Sequence, residues 1–303
     1  MKFVENQTIK KSRQEILNND KKEANIYLYI ILVVGAMFVG EIISGAIEVF
    51  IFGADNIFYG DIRSTDIYNI VSLFGKIFPT LLTFCVGKKY LNRSNFSLGL
   101  RKENSIKDYL QGFGLSFLQI GLVVAILILI NKADLSLNKN LNMTYLILFT
   151  LGWMLQGFSE ELICRSLFMN GFTAFVPIKS AILFNALIFS FIHIGNESVN
   201  IIALINLFLS GISYSLIFYL KDSIWMVAGA HAFWNMIQGN VFGISVSGFA
   251  IARSTIFRAS LQGSNLLTGG EFGIETSILC TLVEALVVFV LIRIIKKRKL
   301  VEK

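Results

Sequence analysis

Apolar runs of roughly 20 residues recur along this chain, separated by short polar pieces, and few folds accept such a pattern. Each run is long enough to cross a bilayer as a helix, the one open-ended element whose backbone hydrogen bonds close within the segment. The runs fall at 26–50, 67–87, 109–130, 144–170, 179–195, 199–220, 223–242 and 276–295. With 54% hydrophobic and only 16% charged residues, the chain lacks the polar surface that a soluble domain of 303 residues requires. The expected fold is all-α: a polytopic integral membrane protein of about eight transmembrane helices. It divides into a polar tail at 1–25, one transmembrane helical domain at 26–295 and a basic tail at 296–303. The first apolar run is too long for a signal-peptide core, so no cleavable leader is expected.

Charge supplies the orientation. The formal net charge is +7, and most of the 27 Lys and Arg fall in the tails and in alternate loops, on the side of the termini. Lipid headgroups and topology explain this better than nucleic acid, and the positive-inside rule makes both termini cytoplasmic. The three cysteines, Cys85, Cys164 and Cys280, lie in or beside apolar segments and offer neither a disulfide framework nor a CxxC pair; they read as buried small hydrophobes. Only Pro79 and Pro177 occur, so most helices should run unbroken.

Against this background the polar residues inside apolar runs stand out, because charge in a membrane is costly unless paired or used. The fourth run contains Gly157-Phe158-Ser159-Glu160-Glu161-Leu162-Ile163-Cys164-Arg165. Glu161 and Arg165 are four apart with the acid first, the favourable order for a helix-face pair, and this reads equally well as a self-neutralising structural unit. Glu160 lies about 100° around the helix, out of easy reach of the same arginine, and an unpartnered carboxylate suits a general base. The chain's only two histidines are His193 and His231. His231 and Asn235 share a helix face, as do Asn185, Phe189 and His193. Taken singly, such a histidine is more often a hydrogen-bonded packing residue. By helical rise Glu160 lies roughly 16 Å from the helix end at Gly171, and His231 roughly 14 Å from Asp222, both from the side of the termini. The spacing therefore permits a shared site.

Glu160-Glu161-x-x-x-Arg165, Phe189-x-x-x-His193 and His231-x-x-x-Asn235, in that order and on the fourth, fifth and seventh runs, resemble the three motifs of the CAAX-protease and bacteriocin-processing family of intramembrane proteases (CPBP, or Abi). Leu267-Thr268-Gly269-Gly270-Glu271-Phe272-Gly273-Ile274-Glu275 is similar to a Gly-Gly segment many members carry before their last helix. The resemblance covers about 145–280 and leaves the N-terminal half unread. It implies an endopeptidase acting on a peptide or membrane-protein substrate in the bilayer, related to CAAX prenyl endopeptidases and to proteins of bacteriocin processing or immunity. By the family's roles Glu160 and His193 would activate water, His231 and Asn235 would stabilise the oxyanion, and Glu161 and Arg165 would support the site. Glu160, His193 and His231 could also hold a Zn2+ ion with an open position, as catalytic zinc prefers, although no HExxH is present and metal-free water activation uses the same residues.

Two other functions compete. One is a non-catalytic scaffold of the same fold that binds a peptide or partner protein, in immunity or regulation. The other is a proton-coupled carrier, against which stands the lack of an internal repeat or of paired broken helices. Lys-, Asn- and Ile-rich usage points to a bacterial plasma membrane and away from prenylated substrates. Elsewhere, Glu41 and Lys76 fall at similar depth and are expected to pair, whereas Glu284 has no partner visible in the sequence.

Overall fold

The computed structural model describes residues 2–18, 25–249, 254–298 and 301–302. Polar N-caps begin most of the long helices. Asn25 accepts from the Tyr27 and Leu28 amides to start α2 (Ile26–Phe52), after the short α1 (Gln7–Leu17). Thr65 starts α3 (Asp66–Tyr90), which is followed by α4 (Ser105–Leu129). Asn142 starts α5 (Met143–Phe172), and α6 (Ile178–Phe191) begins directly after Pro177. Asn200 accepts from two amides to start α7 (Ile201–Lys221), ahead of α8 (Trp225–Met236), and Ser277 starts α9 (Ile278–Lys297). Each cap satisfies amides that the first turn leaves without partners at the edge of an apolar run.

The chain is an all-α polytopic membrane protein: among the described residues six helices, α2, α3, α4, α5, α7 and α9, are long and apolar enough to cross a bilayer. The other two expected spans are shorter. α6 has 14 residues. α8 has 12, prolonged by a π-helical turn at Ile237–Val241. The fifth run stops early because the chain turns at Ile192, so His193 sits in a turn just past the helix rather than inside it.

α3 breaks at Lys76, between Gly75 and Ile77. Pro79 has no N–H and its ring crowds the carbonyl of Gly75, so the ladder cannot run through. Small residues fit this corner against α2: a Cβ on Gly40 would lie 2.3 Å from Pro79 Cα. α5 contains a π-helical stretch at Leu162–Met169, and every residue of that stretch is buried. α8 packs between α4 and α5, whereas α7 packs on α6 and α9.

Outside the bundle, β2 (Ala133–Leu137) pairs antiparallel with β3 (Phe257–Leu261). β1 (Lys2–Phe3) pairs with β4 (Val301–Glu302), bringing the two ends of the chain to one side. The N-terminal segment differs from a solvated tail. Thr8, Ile9, Ser12 and Ile16 of α1 are buried, and the helix is fixed by Thr8 N to Asp222 at 2.8 Å and Ser12 Oγ to the Asn170 carbonyl at 3.3 Å. Glu15 accepts from the Ser94 amide; burial works to raise its carboxyl, but bonds from Ser97 and Ser94 and the nearby Arg93 charge hold it below the usual value. Of the cysteines, Cys164 and Cys280 are buried as expected, whereas Cys85 is exposed.

Candidate active site

The expected site residues line one cavity of about 390 Å3 within the bundle. Glu160, His193, His231 and Asn235 all reach it, together with Gln156, Lys76, Glu41 and Glu275. Its apolar wall includes Leu73, Trp153, Phe189, Leu207, Trp234 and Phe249.

Glu161 and Arg165 do not reach the cavity; they lie behind it, fully buried. Arg165 Nη1 donates to Glu161 Oε1 at 3.0 Å. The guanidinium also lies 4.3 Å over the ring of Phe189 and 5.2 Å from the ring of Tyr214, so aromatic faces take the place of further hydrogen-bond partners. The same Glu161 oxygen faces His231 Nδ1 at 2.7 Å. Glu161 is therefore more than half of an ion pair: it sets the His231 ring. A carboxylate at Nδ1 puts the hydrogen on that nitrogen and turns Nε2 toward the cavity, where it lies 3.8 Å from Glu160 Oε2.

Glu160 is tied differently. Gln156, one turn earlier on the same helix, donates to Glu160 Oε1. This corrects the expectation that Glu160 has no partner on its own helix: the residue four before it supplies one. Glu160 Oε2 is buried without a hydrogen-bond partner among the described residues. Gln156 Oε1 in turn accepts from Asn235 Nδ2 at 2.8 Å. On the facing wall His193 Nδ1 lies 2.7 Å from the Phe189 carbonyl. A carbonyl only accepts, so Nδ1 carries the hydrogen and Nε2 remains as an acceptor.

Residues outside the motifs complete the walls. Lys76 Nζ bonds Glu41 at 2.9 and 2.8 Å, forming the pair expected from their depth. Glu275 receives the Ser247 amide at 2.6 Å, its hydroxyl at 2.9 Å and Gln238 Nε2 at 3.1 Å. These bonds fasten the 243–249 loop, which Asn196 also holds through the Ser247 carbonyl at 2.8 Å. Burial pushes the Glu275 carboxyl above its ordinary value even though these donors oppose it. The positive φ of Gly269, Gly270 and Gly273 lets the Gly-Gly segment fold back and present Glu275 to the loop.

Residues 142–237 match the family model described as type II CAAX prenyl endopeptidase Rce1-like. This stretch is similar to an Rce1-like protease domain. It runs from the start of α5 to the end of α8 and contains Glu160, Glu161, Arg165, His193, His231 and Asn235. No curated protein matches the sequence. The match supports a protease at the level of the family, which implies a peptide or protein substrate, in a chain whose apolar helices are long enough to cross a membrane. α2, α3, the 243–249 loop and Glu275 lie outside the Rce1-like stretch yet wall the same cavity.

The donor types suit zinc, and each histidine keeps one free nitrogen for it. The placement does not: among the described residues no group of three His, Cys, Asp or Glu gathers with ligand spacing.

Proposed function

We propose that the protein is an intramembrane endopeptidase that hydrolyses a peptide bond of a membrane-associated protein or peptide by water activated at Glu160 and His193. One observation carries this reading. Four groups suited to base, water-holding and oxyanion roles face one cavity, and the carboxylate oxygen nearest the histidine, Glu160 Oε2, has no other partner among the described residues. In this reading the attacking water is held between Glu160 Oε2 and the acceptor His193 Nε2. Glu160 takes a proton from it as the water oxygen bonds the carbonyl carbon of the substrate. The oxyanion that develops is met by Asn235, through an amide N–H, and by His231 when Nε2 carries a proton; in a water-poor cavity such donors act strongly. Glu160 then returns its proton to the amide nitrogen, the C–N bond breaks, and a carboxylic acid and an amine leave. Glu161 and Arg165 act through the His231 ring.

Single substitutions test this. Glu160→Ala, His193→Ala and His231→Ala, each with expression and fold checked, should lower cleavage by about 10²–10⁴-fold. Activity or phenotype surviving all three would leave the fold as a peptide-binding scaffold instead. Chelation separates the two ways of activating water: retained cleavage supports the metal-free route, and cleavage lost to chelator and restored by zinc would place the ion on Glu160, His193 and His231. The β1–β4 pairing and the Lys and Arg excess in the tails support a reading with both termini cytoplasmic, in a bacterial plasma membrane. Terminal reporter fusions check that orientation.

A further inference from the structure

We infer that Gln156 is a positioning residue of this site, a side-chain strut that fixes the water-activating carboxylate relative to the oxyanion donor. The inference rests on the proteolytic reading above. Gln156 stands four residues before Glu160 on the same face of α5 and lines the same cavity. Its two ends have opposite partners: the amide NH2 meets Glu160 Oε1, and the carbonyl accepts from Asn235 Nδ2 at 2.8 Å. Chemistry fixes which end goes where, because an ionised carboxylate only accepts and the Asn235 nitrogen only donates. The strut occupies one oxygen of Glu160 and so assigns the other, Oε2, to the reaction. It also holds the Asn235 carboxamide by one of its two N–H bonds.

The helices it joins do not depend on it for their register. One turn before it, Trp153 Nε1 donates to Asn240 Oδ1 at 2.7 Å; about one turn after it, Glu161 holds His231 at 2.7 Å. Between them Gly157 allows close backbone contact, since a Cβ there would lie 2.7 Å from Ala232 N. The pairs 153–240, 156–235 and 161–231 thus form an antiparallel ladder between α5 and α8 with its π-helical extension, and Gln156 is the rung that touches the base. Removing it should loosen Glu160 and Asn235 while the outer rungs keep the helices in place. A misplacement of the reacting groups lowers turnover far more than it lowers binding.

The test uses the full-length protein in detergent, an internally quenched library of apolar decapeptides, and Glu160→Ala as the blank. Gln156→Met, which keeps length and volume but loses both bonds, should lower kcat on the order of 10- to 100-fold, with KM within about twofold and the thermal midpoint unchanged. In an Asn235→Ala background the same substitution should lower kcat by less than about threefold, because one end of the strut is already lost. Wild-type kcat in Gln156→Met would overturn the inference while leaving the protease reading intact. A loss of activity that tracks a fall in thermal midpoint would overturn it too, making Gln156 a packing residue. Equal losses in the wild-type and Asn235→Ala backgrounds would do the same. If the wild type cleaves no better than the blank, the protease reading fails and takes the inference with it.

Discussion

Two buried acids in this bundle meet different fates. Glu284, in the middle of α9, is fully buried and accepts from Gln119 Nε2 at 3.0 Å and Ser213 Oγ at 3.2 Å, one donor for each oxygen. Glu160, in α5, has one oxygen bonded to Gln156 and the other without a partner among the described residues, on the wall of a cavity. Both sit in apolar helices, where an unsatisfied polar atom is costly. Glu284 avoids the cost by being saturated with neutral donors from neighbouring helices. Glu160 keeps it, and the open atom lies 3.8 Å from His231 Nε2. A buried charge in a membrane protein is therefore a weak sign of chemistry by itself. A buried charge with one uncommitted atom, on a residue that lines a cavity, is a much stronger one.

Substitutions can break or sharpen that contrast. The largest effect is expected at Glu160→Gln, which preserves shape but removes the base: cleavage should fall by about 10³-fold or more while the thermal midpoint holds. Arg165→Met comes next and acts on stability. It leaves the buried Glu161 without its cation and with only the His231 bond, so unfolding in detergent should become easier by about 3–5 kcal/mol, with activity falling as Glu161 is no longer anchored where it holds the His231 ring. The half-exposed Lys76–Glu41 pair should matter less. Lys76→Met alone should destabilise by about 1–3 kcal/mol, yet be near neutral beside Glu41→Gln; equal damage in both backgrounds would mean the residues do not act as a pair. Glu284→Gln is the smallest. A carboxamide can keep the Gln119 bond and offer N–H groups to Ser213, so stability should change by under about 1 kcal/mol and cleavage by less than about twofold. A large loss of cleavage at Glu284→Gln, with stability unchanged, would erase the distinction between the two acids.

Much of this arrangement was legible in the residues, because the bilayer imposes strict rules on a chain. The apolar runs fix where most helices lie, and the four-residue spacing of Glu161 with Arg165 foretells a pair that forms. The depth argument for Glu41 and Lys76 succeeds for the same reason: a helix advances by a known rise. What stayed hidden depends on contacts between distant segments. The second partner of Glu161 is His231, seventy residues on, and no local spacing reports it. The partners of Glu284 come from α4 and α7. Gln156 was visible four residues before Glu160, but its role shows only when Asn235 arrives from α8. The docking of α1 escaped because only half of its buried face is apolar: Ile9 and Ile16 join the core, while Thr8 and Ser12 are held by hydrogen bonds to other segments. The early end of α6 is set by a turn whose one marker, Gly195, lies four residues beyond Phe191, too far on to fix where the helix stops.

The central claim is that Glu160 Oε2 takes the proton of the attacking water. Its most direct test compares wild type and Glu160→Gln, purified, placed in lipid nanodiscs and matched in thermal midpoint, by mass spectrometry of the peptides each releases from the same apolar decapeptide library. New termini produced by the wild type and absent from the Glu160→Gln digest are the predicted result. The same termini, released at similar rates by both proteins, would contradict the account.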